Sequence, residues 1–149
     1  MTIQERLLED MKTAMKASNK VRLETIRGLR AQLKNREIDL GRPLTEDDVI
    51  QVLMNAAKKR KESIEQFLAV NRHDRAEIEK KELEIIQEYL PEQMSEAEIA
   101  NLADEIIKTV KAQSMKDMGK VMGQIMPKVK GRVDGRLVQQ IVTKKLSSL

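Results

Sequence analysis

The stretch DMGKVMGQIMPKVKGRVDGRLV, residues 117–138, decides how the chain is read. It opens as a helix, because Met118, Val121, Met122, Ile125 and Met126 recur at the three- and four-residue spacing that stacks side chains on one helical face. Pro127 has no N–H to donate and is expected to end that helix. A loop is expected over residues 128–132, where Lys128, Lys130 and Arg132 alternate with Val129 and Gly131. Asp134 stands where it can cap a second helix, whose apolar face is Leu137, Val138, Ile141, Val142 and Leu146. A cationic loop held between two helices, with a glycine that lets a backbone come close, suits a phosphate-rich partner. A solvated charged turn is the competing interpretation.

The glycines of this stretch need care. Gly119 and Gly123 have the spacing of a membrane helix dimer, but they do not lie in a long apolar segment. They are expected to let another backbone approach. Gly131 and Gly135 lack the Gly-Lys-Ser or Gly-Lys-Thr ending of a phosphate loop. Charge is skewed the same way as the glycines. Residues 114–149 carry eight Lys or Arg against two Asp, while the whole chain is only +4, so the basic excess belongs to the C-terminal quarter.

Working back toward the N-terminus, each apolar stripe has a start signal. Thr2 and Glu5 form a capping-box pattern ahead of Ile3, Leu7, Leu8, Met11, Ala14 and Met15. Ser18 and Asn19 interrupt it, and a second helix runs to about Leu40 with Ile26, Leu29 and Leu33 inward. Arg27, Arg30 and Lys34 lie along a flank of that face as a secondary basic strip. After Gly41-Arg42-Pro43, Thr45 caps a third helix carrying Val49, Leu53, Ala56, Ala57, Ile64, Phe67 and Leu68. Its Lys58-Lys59-Arg60-Lys61 run points in several directions and cannot form one patch. Asp74 and Glu77 are expected to box a fourth helix with Leu83, Ile86 and Leu90 inward. His73, the one histidine, falls in the break before it and reads as solvated. Ser95 and Glu98 box a fifth helix with Ile99, Leu102, Ala103, Ile106, Ile107 and Val110, and Ser114 with Asp117 offers one more cap.

The expected fold is therefore all-α, with a four-helix bundle over residues 1–91 and a three-helix domain over residues 92–149. Composition agrees. Charged residues make up 35% of 149 residues, and one Phe, one Tyr and no Trp leave an aliphatic core with nine Met as gap-fillers. The absence of cysteine excludes disulfides, thiolate metal sites and a cysteine nucleophile. No metal site, cofactor or catalytic residue is expected. No segment approaches the ~20 apolar residues of a membrane span. The acidic, amphipathic start does not read as a signal peptide, and the cytoplasm is the expected compartment.

At three places the chain resembles the YqeY family. These are Glu88-Tyr89-Leu90-Pro91-Glu92-Gln93-Met94-Ser95, then Asp117-Met118-Gly119-Lys120-Val121-Met122, then Lys130-Gly131-Arg132-Val133-Asp134-Gly135. The second half is also similar to the tail domain of the B subunit of the glutamine-dependent tRNA amidotransferase. There a Gly-Gln-Val-Met-Lys-x-Thr-x-Gly-Lys-Ala pattern recurs against Gly123-Gln124-Ile125-Met126-Pro127-Lys128-Val129-Lys130-Gly131-Arg132-Val133 here. Pro127, Val129 and Gly135 depart from the tail, which has lysine, a hydroxyl residue and proline there. The resemblance implies two helical domains, the second a tRNA-contacting module associated with carbon–nitrogen ligase activity that uses glutamine as amido donor.

Three functions follow from these readings. An accessory module would bind tRNA or another structured RNA through Lys120, Lys128, Lys130, Gly131, Arg132 and Arg136. A stand-alone ligase is disfavoured, because the six serines lie at caps, on a helix or at the C-terminus, without an organised base. The alternative is a protein–protein interaction bundle that docks an amidotransferase or another partner.

Overall fold

The computed structural model describes residues 1–149 as seven α-helices, one short 3-10 turn and no strand. The helices are α1 (Ile3–Lys16), α2 (Lys20–Leu40), α3 (Glu46–Ala69), α4 (His73–Gln87), α5 (Glu96–Val110), α6 (Met118–Val129) and α7 (Gly135–Ser147), with the 3-10 turn at Met115–Asp117. The chain divides into two compact units, Met1–Leu90 with α1–α4 and Pro91–Leu149 with α5–α7.

Local chemistry sets most of the helix ends. Thr2 and Glu5 form the complete capping box of α1. α2 stops at Gly41, whose φ of 66° is the left-handed conformation that glycine adopts without a Cβ penalty. Thr45 and Asp48 box α3, and Asp48 also takes the Arg42 guanidinium at 2.7 Å. That hydrogen bond, with those of Thr45, holds the Asp48 carboxyl well below the ordinary carboxylate range. Thr45→Ala is expected to cost about 0.5–2 kcal/mol, read as a lower urea midpoint at unchanged slope.

Other ends differ from the sequence pattern. No box forms at α4. The helix starts two residues early, Arg72 makes no side-chain cap bond, and its guanidinium takes Asp74 through two contacts of 3.2 Å. With the start at His73, Asp74 lies inside the first turn and is not its N-cap. His73 becomes the first residue of α4 and is exposed. At α5 the box is half formed. Ser95 accepts from the Glu98 N–H at 3.2 Å, while the Glu98 carboxylate takes the Ser95 hydroxyl rather than its N–H. Ser114 caps the 3-10 turn by accepting from Lys116 N–H, and Asp117 accepts from Gln113 N–H at 2.8 Å. Asp134 caps α7 by accepting from Arg136 N–H.

Pro127 does not end α6, which runs through it to Val129. The bond lost is the one to the Gly123 carbonyl, on the exposed side of the helix, and Val129, 1% exposed, seats the last turn in the core. Lys128 and Val129 are thus helical, and the connection to α7 runs over residues 130–134, two positions later than the residue 128–132 loop expected. Gly119 and Gly123 also differ. Both are exposed, and a Cβ added to either would meet nothing within 4 Å, so no other backbone lies against them.

Each unit has its own aliphatic core. In the first, Leu7, Ile26, Leu29, Leu33, Val49, Leu53, Ile86 and Tyr89 are buried together. The inward face of α3 is well buried only as far as Ala57. Ile64 and Phe67 are half-buried and Leu68 is exposed. Beyond Ala57, α3 pairs with α4 through charge, as Arg60 reaches Glu82 at 2.9 Å and Glu79 at 3.6 Å. Burial raises the pKa of Glu82 despite the cation. The second core joins Ile99, Ala103 and Ile106 of α5, Val121, Ile125 and Val129 of α6, and Val138, Val142 and Leu146 of α7. Met118, Met122 and Met126 pack half-buried against it.

Candidate nucleic-acid interface

Five of the six residues expected to meet RNA gather where α6 hands over to α7. Lys128 lies in the last turn of α6, Lys130 and Gly131 form the connection with Arg132, and Arg136 lies in the first turn of α7. Lys128, Lys130 and Arg136 are exposed. Lys120 sits eight positions before Lys128 on α6, about 12 Å away along the axis, and is exposed too. Beside these lysines runs a strip with little side chain, made by Gly119, Gly123 and Pro127, all exposed. A rigid surface can approach α6 closely along that strip.

Arg132 and Gly131 do something the sequence did not disclose. Gly131 has a φ of 76°, and its carbonyl accepts from Gln93 Nε2 at 3.1 Å. The same amide nitrogen donates to the Pro91 carbonyl at 2.7 Å. The Arg132 carbonyl accepts from Met94 N–H at 2.9 Å, and Arg132 Nε donates to the Glu92 carbonyl at 2.9 Å. A short irregular run, residues 91–94, therefore clasps the turn through three separate connections. Arg132 is half-buried and works mainly on this clasp. The Pro91-Glu92-Gln93-Met94 motif was the only sequence signal available, and its pattern alone reads as a boundary.

Arg27, Arg30 and Lys34 belong to α2, in the other unit, and all three are exposed. Arg30 Nη1 lies 3.1 Å from Met11 Sδ of α1, a weak acceptor, so its stem packs along the bundle. No helix of the protein is long and apolar enough to cross a membrane.

These features define a two-unit, all-helical protein with a clasped basic corner in its second unit. The chain belongs to the YqeY family: the family described as Yqey-like protein matches residues 4–146. It is 38% identical over 121 residues to "Altered inheritance of mitochondria protein 41, mitochondrial" of Lachancea thermotolerans, covering 76% of this chain and 65% of that protein. The protein of the same name from Clavispora lusitaniae is 43% identical over 81 residues, 54% of this chain and 47% of that one. An uncharacterized protein of Schizosaccharomyces pombe is 36% identical over 97 residues, 62% of this chain and 72% of that one. The chain thus spans about half to two thirds of the length of the first two relatives. Their names overturn the cytoplasmic expectation, since these relatives are named as mitochondrial proteins. The expectation rested on the lack of a signal-peptide pattern, which bears on secretion and not on other compartments.

Proposed function

We propose that the chain is an RNA-binding accessory module, with tRNA as its ligand, that serves glutamine-dependent amide transfer by holding RNA. The observation that carries this reading is the set of exposed cations, Lys120, Lys128, Lys130 and Arg136, around the bare face of α6 and the clasped turn that follows it. Cations neutralise phosphates and release counterions, which supplies affinity with little regard to sequence. The second unit contains no aromatic side chain, because Phe67 and Tyr89 both precede Pro91. It offers no aromatic platform for unpaired bases, which favours a folded RNA recognised by its backbone and shape.

Fluorescence anisotropy with a labelled tRNA transcript, titrated from roughly 50 to 200 mM salt, tests the proposal. The unaltered chain should bind, with affinity falling steeply as salt rises. Changing Lys128, Lys130 and Arg136 together to Ala should weaken binding and flatten the log–log salt slope by up to about 3. Arg132 is left intact because its loss would disturb the clasp. Equal behaviour of the two proteins would sink the proposal and favour a bundle that docks another protein.

A further inference from the structure

We infer that Gln93 is a positioning residue for the basic turn, holding it in the shape that presents its cations without itself touching RNA. The inference rests on the RNA-binding reading given above and goes beyond it to a residue outside the basic cluster. Gln93 is the one side chain of the clasp that ties residue 131 to residue 91 directly, through 3.1 Å and 2.7 Å bonds from one amide nitrogen. Its partner carbonyl belongs to Gly131, whose left-handed φ of 76° makes the chain reverse between Lys130 and Arg132. The remaining connections, Met94 N–H to the Arg132 carbonyl and Arg132 Nε to the Glu92 carbonyl, both fall on Arg132. Without Gln93 the glycine loses its side-chain restraint across the clasp, and the two connections at Arg132 are left to hold the turn alone and open more often.

A turn that is ordered before binding does not have to be ordered by the ligand, and this is where Gln93 acts. Its effect should therefore appear in affinity and not in the number of phosphates contacted. Gln93→Ala and Gln93→Met both remove the amide, the second at nearly constant length. Both are neutral, so neither alters the electrostatics of phosphate contact.

With the same tRNA transcript and salt range, each variant is expected to bind about three- to tenfold more weakly, with the salt slope of the unaltered chain. In the RNA-free protein, hydrogen exchange at the Met94 amide should quicken in both variants, while amides in the cores of α5 and α7 stay protected. Unchanged affinity in both variants, while the Lys128, Lys130 and Arg136 change still acts, overturns the inference and leaves the RNA reading in place. A salt slope that falls together with affinity also overturns it, because lost phosphate contacts would mean the cations themselves had been displaced. Failure of the unaltered chain to bind RNA overturns both.

Discussion

Tyr89→Ala is expected to lower the stability of the N-terminal unit by about 3–5 kcal/mol, the range seen when a large buried ring is cut back to a methyl group. Tyr89 is 2% exposed, and its hydroxyl donates to the Asp10 carboxylate of α1. The Arg6 guanidinium stacks over the ring at 5.0 Å and donates to the Glu88 carbonyl, and Arg22 grips the Glu88 carboxylate at 2.7 Å. Tyr89 and Glu88 thus tie the end of α4 to α1 and α2. Removing the ring opens a cavity and leaves the half-buried Asp10 without its donor. Thermal unfolding followed by circular dichroism reads the loss as a lower first transition, and Tyr89→Phe, which keeps the ring, should cost roughly 1–3 kcal/mol.

The same residue gives a pH dependence with a definite sign. Burial, then the hydrogen bond to Asp10, pushes the Tyr89 pKa well above its ordinary value. The folded state therefore holds the phenol proton more tightly than the unfolded state does. Stability from this group is complete below about pH 10, the unfolded pKa, and is lost as pH climbs from there toward the folded pKa. Urea unfolding between about pH 9 and 11 should show this loss in the unaltered protein and a smaller one in Tyr89→Phe, since Lys titration is common to both. Parallel curves would show that the hydroxyl is not linked to folding.

Ile125→Ala carries the second large effect. Ile125 is fully buried at the centre of the α5–α6–α7 core. Truncating such a side chain costs about 2–5 kcal/mol. A single small core of this kind supplies only about 3–5 kcal/mol of stability in all, so the substitution should leave the C-terminal unit largely unfolded. Hydrogen exchange resolved by residue should show protection lost across α5, α6 and α7 and retained in α2 and α3. Retained protection in α5 and α7 would show that the half-buried Met122 and Met126 had filled the space.

What the sequence disclosed, and what it withheld, follows from the range of the interactions. Ile99, Ala103 and Ile106, or Val121 and Ile125, announce their helices through spacing alone, because a buried stripe is a local pattern. The Thr2–Glu5 box and the Thr45 cap are equally local and form as expected, with Asp48 completing a box at Thr45. Asp74 was misread because the helix begins before it, at His73, and its carboxylate pairs back with Arg72. Pro127 was misread because the helix beyond it is held by burial of Val129 against other helices. The glycines on α6 advertise smallness but not which side is empty. Within the basic corner, the cations were visible as a cluster. Arg132's commitment to the clasp was not, because its partner lies 40 residues away, as Gln93's lies 38 residues away.

The placement of Tyr89 reaches into how the molecule can be watched. It is the single tyrosine of a chain without tryptophan, and it lies in the Met1–Leu90 unit. Near-ultraviolet absorbance at the tyrosine band and intrinsic emission therefore come from that unit alone. The unit carrying the basic corner contributes nothing to that band, so its unfolding has to be followed by other means.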